Sequence, residues 1–302
     1  MPVSFVGHQA SVYSICAFDE HRFIAGDGDA RAVLWDVHEP ERGRLLATAE
    51  AHVFCVEYLP EWRRLVMGTM YGGVHWVDLG TGAALADVRQ HDKGVFAIQR
   101  VGQRLYTGGG AGKLTAWDIS TCRTIESLHL TNRSIRSLAY APERQELAVG
   151  CSDQQVYLVD AATMTIKSHW QAHSNSVFAV AYHPDGMHLL TGGRDALLRS
   201  WSLADADAHG TGTHSTLIQD LPAHWYTINS IAVSGNGQHM ATASRDKTIR
   251  LWRTEDYALL GTLDLTRSGH THSVNALLWL GGTLISVGDD RRVLGWQLGT
   301  DY

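Results

Sequence analysis

The chain has 302 residues, 44% of them hydrophobic, with 25 basic and 31 acidic side chains and a formal net charge of −6. That balance gives no electrostatic case for non-specific nucleic-acid binding, which rewards strongly basic surfaces. The opening Met-Pro-Val-Ser-Phe-Val-Gly-His lacks the charged and apolar regions of a signal peptide, and no apolar run approaches the roughly 18–20 residues of a spanning helix, so a soluble, cytoplasmic protein with no membrane partner is expected. Cys16, Cys55, Cys122 and Cys151 stand singly without a CxxC pair, which suits reduced thiols and no zinc or redox site.

Val3 to Val6 is a short β-prone run with no neighbour to pair with. After it the chain repeats itself seven times, in segments ending at Trp35-Asp36, Val77-Asp78, Trp117-Asp118, Val159-Asp160, Trp201-Ser202, Trp252-Arg253 and Trp296-Gln297. Successive steps of 42, 40, 42, 42, 51 and 44 residues match the ~40–45 of one four-stranded propeller blade. The repeat runs from His8 to Trp296 without a linker, so residues 1–302 read as one closed β domain. Segments two and four are called from spacing and β pattern; omitting them would leave gaps of 82 and 84 residues.

The fifth segment lays out the plan: a β-prone run at Ser176 to Tyr182, a Pro184-Asp185-Gly186 turn, a second run at His188 to Gly193, a tight turn at Arg194-Asp195-Ala196, and a third run to Trp201. Proline presets φ and glycine accepts φ > 0, so the first turn makes a hairpin. The sixth segment repeats the plan, with turns at Ser234 to Gly237 and Arg245 to Lys247. An outer strand falls before each next histidine, as in Arg44 to Thr48 or Leu259 to Leu263. The polar insertion holding Asp205, Asp207, His209 and His214 reads as a solvated loop and not a metal site. Since the seventh segment ends soon after its third strand, Val3 to Val6 is expected to complete it, removing an open edge.

With these repeats the chain resembles the WD40-repeat β-propellers of seven blades. The resemblance implies an all-β fold of seven four-stranded antiparallel blades, each with a buried His, a Ser or Thr, a turn Asp and a Trp in one hydrogen-bonded tetrad. Three segments match at every position: His173, Thr191, Asp195 and Trp201; His224, Thr242, Asp246 and Trp252; His270, Ser286, Asp290 and Trp296. Segment one has His8, Asp29 and Trp35 but Ala25 for the hydroxyl. Segment three has His91, Thr107 and Trp117 but Ala111 for the Asp. Segment two, opened by His52, has Met67, Tyr71 and Val77, and segment four has Thr131, Val149 and Val159.

Other motifs yield to bland readings. Thr107 to Leu114 lacks the first Gly and the final Ser/Thr of a phosphate loop and precedes no helix. Gly26-Asp27-Gly28-Asp29 lacks the spaced ligands of a calcium loop. Ser, His and Asp meet only in tetrads whose Trp fills the space a substrate would need, and no oxyanion hole is announced. No catalytic residue, metal or cofactor is therefore expected.

The resemblance also implies where a partner docks: the face bearing the d–a and b–c loops. Its fifth-residue positions, counted from the opening His, are Tyr13, Glu57, Phe96, Arg136, Phe178, Asn229 and Asn275. The pre-Asp positions include Met70, Arg194, Arg245 and Asp289, and the third-residue positions are small, as at Ser11, Cys55 and Gly94. Trp225 and Tyr226 add aromatic area. Aromatic and Arg side chains among small ones suit an inserted peptide, with Glu57 and Asp289 facing the Arg136, Arg194 and Arg245 side across a bipolar mouth. The expected function is a non-catalytic scaffold binding a protein or peptide there, as a monomeric propeller within a larger complex. The alternative is a reader of an acidic or phosphorylated ligand through the Arg cluster; an enzyme is the least favoured reading.

Overall fold

The computed structural model describes residues 1–204 and 214–298, so the inserted loop with Asp205, Asp207 and His209 lies outside the described residues. Among the described residues twenty-eight strands form seven four-stranded antiparallel sheets. The inner strands are Val12–Ala17, Val53–Leu59, Val95–Val101, Ile135–Ala141, Val177–Tyr182, Ile228–Val233 and Val274–Leu280. Each packs beside the next, and the seventh lies against the first, which closes the ring. Among the described residues no helix is long and apolar enough to cross a membrane.

Blade five shows how sequence makes a blade. Val177–Tyr182 turns through Pro184-Asp185-Gly186, with Gly186 at φ +70, into His188–Gly193. Leu197–Ala204 and His214–Pro222 follow outward. In all seven blades one residue of the second turn takes positive φ: Ala30, Gly72, Gly112, Gln154, Ala196, Lys247 and Arg291. Only two of these are glycine, so the tight b–c hairpin holds five ordinary residues in the left-handed region.

Every inner strand also carries a bulge at the same place. Val177 pairs with Gly193 but Ala179 pairs with Gly192, which leaves Phe178 as the extra residue; the same shift leaves Tyr13, Phe54, Phe96, Arg136, Asn229 and Asn275 unpaired in the other blades. A bulge re-aims its side chain out of the alternating pleat.

The cores lie between blades. Tyr106, Leu114 and Ala116 of blade three pack on Ile135, Leu147, Val149 and Val159 of blade four, and comparable clusters fill the other junctions. Residues Val3–Phe5 form the outer strand of blade seven: Val3 pairs with Gly295, Ser4 with Leu294 and Phe5 with Val293. Phe5 is buried edge-on against Phe23 at 5.0 Å and Trp35 at 5.8 Å, so the clasp binds the last blade to the first by packing as well as by strand pairing.

Replacing Phe5 by Ala should empty this junction and cost about 3–5 kcal/mol, as deletion of a buried aromatic ring does. Chemical denaturation measures it. Removing residues 1–7 should destabilise the ring further, and an unchanged midpoint in both proteins would mean that the clasp carries no stability.

Candidate functional site

Beneath the mouth, three blades hold the complete relay. Trp201 Nε1 donates to Thr191 Oγ1 at 3.0 Å, Thr191 Oγ1 lies 2.8 Å from His173 Nε2, and His173 Nδ1 lies 2.8 Å from Asp195. The series Trp252, Thr242, His224, Asp246 and the series Trp296, Ser286, His270, Asp290 repeat it with every step between 2.8 and 3.0 Å. Each group donates once down the chain, so no buried donor is stranded. Burial raises the Asp195 carboxyl, but the His173 hydrogen bond and charge override it and hold the group down to about 2.

The incomplete blades improvise. In blade one Ala25 offers no hydroxyl, and Trp35 Nε1 donates straight to His8 Nε2 at 3.2 Å. The carboxylate partner of His8 is Asp27, at 2.7 Å, and not Asp29. Asp27 ends the second strand where blades three, five and seven have Gly109, Gly193 and Gly288, and reaches the imidazole from there. Asp29 turns outward to Arg31 at 2.9 Å. In blade four, where Val149 and Val159 replace the hydroxyl and the Trp, Tyr157 donates to Asp153 at 2.8 Å. In blade three Thr107 joins His91 and Trp117 at 2.8 and 2.9 Å, but Ala111 leaves His91 Nδ1 buried without a partner. Burial, helped by the Lys113 charge, lowers His91 to about 4.

Above these relays the seven bulged residues ring the channel mouth. One of them is not the residue expected from sequence. Val53 faces Thr69 as Val177 faces Gly193, so blade two contributes Phe54, and Glu57 sits three residues further along, lining the channel. The cause is a shorter entry loop. Glu50 takes the place of the opening imidazole, accepting from Thr69 Oγ1 at 2.7 Å and pairing with His75, whereas His52 lies at the mouth with Nδ1 against the Gly28 carbonyl. Burial pushes the Glu57 carboxyl up to about 7 against the opposing charge of Arg100. Cys55 correspondingly leaves the third-residue set and is buried in the core between blades two and three.

With Phe54 in place, the rings meet. Tyr13 and Phe54 touch edge-on at 5.2 Å, and Phe54 stacks on Phe96 at 5.3 Å. The Arg136 guanidinium then lies 4.4 Å from the Phe96 centroid and 4.7 Å from that of Phe178. Five consecutive blades therefore present one arc, Tyr13, Phe54, Phe96, Arg136, Phe178, with a cation held between two rings. Arg136 Nε donates to Ser152 Oγ at 3.1 Å, and no carboxylate among the described residues lies within ion-pair distance of it. Burial and the neighbouring Arg194 charge lower its pKa, so the cation is partly desolvated without being neutralised.

Blades six and seven close the circle with amides. Asn229 Nδ2 donates to Ser273 Oγ and the Val274 carbonyl, and Asn275 Nδ2 to the Val12 carbonyl and Asp289 Oδ1. Around the rim, Met70, Arg194, Arg245 and Asp289 are exposed, as are Trp225 (82%) and Tyr226 (62%). With Glu57 below the mouth, the acidic side of the expected bipolar ring reduces to Asp289, already engaged by Asn275.

A closed ring of seven four-stranded blades, each built on a histidine-centred relay or a local substitute, defines a seven-bladed β-propeller. The WD domain, G-beta repeat family matches residues 2–36, 164–202 and 215–253, which take in the three inner strands of blades one, five and six, each with the outer strand that precedes it in sequence. The chain belongs to the WD40-repeat family. Among curated relatives it is 21% identical over 316 residues to cilia- and flagella-associated protein 52 of Homo sapiens, covering 98% of this chain and 48% of that protein. It is 28% identical over 130 residues to Protein HIRA of Dictyostelium discoideum, covering 38% and 11% respectively. The chain thus spans about half of the one and a small part of the other. The crystal structure of the WD40 β-propeller domain of Doa1 superposes with a TM-score of 0.83 at 17% identity, covering 99% of this chain and 97% of that one, which speaks for the fold alone.

Replacing Asp27 by Ala should strand the buried His8 donor and cost about 1–3 kcal/mol, whereas Asp29→Ala should stay within about 0.5 kcal/mol. Equal losses in urea denaturation would contradict the relay of blade one. Ala111→Asp should give His91 its missing acceptor and raise stability by about 1 kcal/mol near neutral pH. His91 titrates near 4 when folded against about 6.5 when unfolded, so its contribution is whole above about 6.5 and is lost as the pH falls toward 4. The Ala111→Asp protein should lose less stability over that interval, and parallel curves for the two proteins would refute the assignment.

Proposed function

We propose that this propeller is a non-catalytic interaction scaffold that takes an acidic peptide segment of a partner protein into the channel mouth. The observation that supports this most strongly is Arg136, a partly buried cation clamped between Phe96 and Phe178 with no carboxylate of its own. A guanidinium fixed in this way has paid its ordering entropy in advance and keeps its fork available for bidentate pairing. The flanking rings of Tyr13 and Phe54 supply apolar area for a neighbouring side chain, and aromatic and Arg residues are the types that dominate binding energy at interfaces.

Arg194 and Arg245 extend positive charge along the rim of blades five and six, which favours an acidic or phosphorylated residue on that side. WD40 propellers are in general interaction scaffolds, and a monomeric ring within a larger complex suits this mouth. The four cysteines are free thiols, which fits a cytoplasmic setting.

Selection of a displayed random-peptide library on the intact chain, followed by calorimetry on the enriched peptides, tests the reading. Enriched peptides should carry Asp or Glu and should lose about 2 kcal/mol of affinity on Phe178→Ala, as a central hot-spot truncation does. Arg136→Glu should abolish binding, and affinity for the parent should fall with added salt. Peptides without acidic residues, or affinities unchanged in both variants, would move the site away from the mouth.

A further inference from the structure

On the opposite face, the turn joining the first two strands of blade five reads His183-Pro184-Asp185-Gly186-Met187-His188. Its backbone is closed by His183 N to the His188 carbonyl at 2.9 Å and Gly186 N to the His183 carbonyl at 3.0 Å. Asp185 Oδ1 is fully used, accepting from the Met187 and His188 amides at 2.8 and 3.1 Å. Its second oxygen, Oδ2, points at two imidazoles at once: His183 Nδ1 is 2.9 Å away and His188 Nδ1 is 2.6 Å away. One ligand atom from each residue falls within a 4.8 Å cluster.

The proton inventory at this cluster does not close with neutral side chains. His183 Nε2 lies 3.1 Å from the Thr254 carbonyl, an acceptor only, so Nε2 carries the proton and Nδ1 presents its lone pair. The Asp185 amide also points at that Nδ1, at 3.3 Å, as a donor seeking an acceptor. A lone pair on Nδ1 therefore faces a carboxylate oxygen at contact distance, and either a proton or a metal ion between them relieves the repulsion.

The turn itself does not require this set. In blade six the equivalent turn is Ser234-Gly235-Asn236-Gly237-Gln238-His239. There the Ser234 hydroxyl donates to Asn236 Oδ1 at 2.7 Å and accepts from the His239 amide at 3.0 Å, closing the same geometry with uncharged groups. The His, Asp, His combination is thus a property of blade five and not of the hairpin.

We propose that this turn binds a divalent first-row transition-metal ion of the zinc type through His183 Nδ1, His188 Nδ1 and Asp185 Oδ2. Imidazole and carboxylate are a zinc-type donor set, and three protein ligands leave a fourth position open. The outer contacts are those that hold metal ligands: the Thr254 carbonyl fixes the His183 ring, and two backbone amides fix the carboxylate. Tetrahedral bonds of ordinary length would place neighbouring ligand atoms about 3.3 Å apart, so the cluster opens by roughly half an ångström on binding. His183 and Asp185 line a cleft of about 590 Å³ between blades five and six, together with Gln238, His239 and Glu255. Arg253 at the cleft is paired with Asp256 at 2.8 Å, which offsets its charge.

Tag-free protein, stripped with a chelator and dialysed, is titrated with Zn²⁺ in a calorimeter and with Co²⁺ under visible absorption. One ion per chain should bind with micromolar affinity or better, and Co²⁺ should develop ligand-field bands of a low-symmetry site. His188→Ala leaves every backbone bond of the turn in place, and it should weaken binding at least about tenfold, as should Asp185→Asn. Zn²⁺ should raise the melting temperature of the parent and of His129→Ala, a histidine elsewhere on the surface, but not that of His188→Ala. No uptake by the parent, or uptake unchanged in His188→Ala, would overturn the assignment. Peptide binding at the mouth, measured on the same variants, should be unaffected, so this result and the reading of the mouth stand or fall separately.

Discussion

A single backbone irregularity, the extra residue near the start of each inner strand, sets what this molecule can present. In a regular strand those seven side chains would alternate between the faces of a blade. Displaced by the bulge, they gather at the channel mouth. Beside the bulge, on the second strand of the same blade, stand Gly26, Gly68, Gly108, Gly150 and Gly192 in blades one to five, each against the inner strand of the next blade. A Cβ on Gly192 would come within 2.6 Å of Ile228 on blade six, so in these blades the bare position lets the second strand pack closely on the next inner strand, whereas blades six and seven carry Ala243 and Val287 there. Close approach brings Tyr13, Phe54, Phe96, Arg136 and Phe178 within reach of one another as an arc rather than as isolated residues.

Behind the mouth, the relays join the entry loop, second strand and third strand of each blade by hydrogen bonds in the interior. Their variations reveal which part is indispensable. The hydroxyl can be skipped, as Trp35 does by donating directly to His8, and the carboxylate can come from a different residue, as Asp27 does. Blade two replaces the imidazole with Glu50. In six blades what persists is a polar link from the entry loop to the second or third strand, with the cost of burial offset by pairing, while blade four keeps only the bond from Tyr157 to Asp153 in its own turn. Blade three is the weakest instance, since His91 keeps an unpaired nitrogen in the interior and answers by holding its pKa low.

Much of this was legible in the sequence because a propeller writes its period along the chain: the regular spacing of the seven third-strand ends, five of them at a Trp, marks seven blades, and the complete His, Ser/Thr, Asp, Trp sets mark the three intact relays. The failures came where a local signal was borrowed for a different task. His52 looked like an opening histidine, yet it belongs to the mouth, and counting from it displaced the site residue from Phe54 to Glu57. A stronger cue was present in the dipeptide Val53-Phe54, which repeats at Val95-Phe96 and Val177-Phe178. Asp29 stands at the fixed spacing of a turn Asp, but with no hydroxyl at Ala25, Trp35 donates straight to His8, and the carboxylate comes from Asp27. The contact of Arg136 with two rings could not be read at all, since it depends on how neighbouring blades tilt toward one another.

The clasp of blade seven has a consequence in time. Val3–Phe5 must find Val293–Gln297, almost a whole chain length away, whereas every other outer strand joins a partner in the same stretch of sequence. Loop closure over that distance, about four doublings of a 20-residue hairpin, costs roughly 2 kcal/mol more. On a ribosome the first strand emerges early and then waits, unpaired, until the final hairpin exists. The ring therefore has a seam: it is sealed last, and it is the place where blades one and seven can part while the other junctions hold.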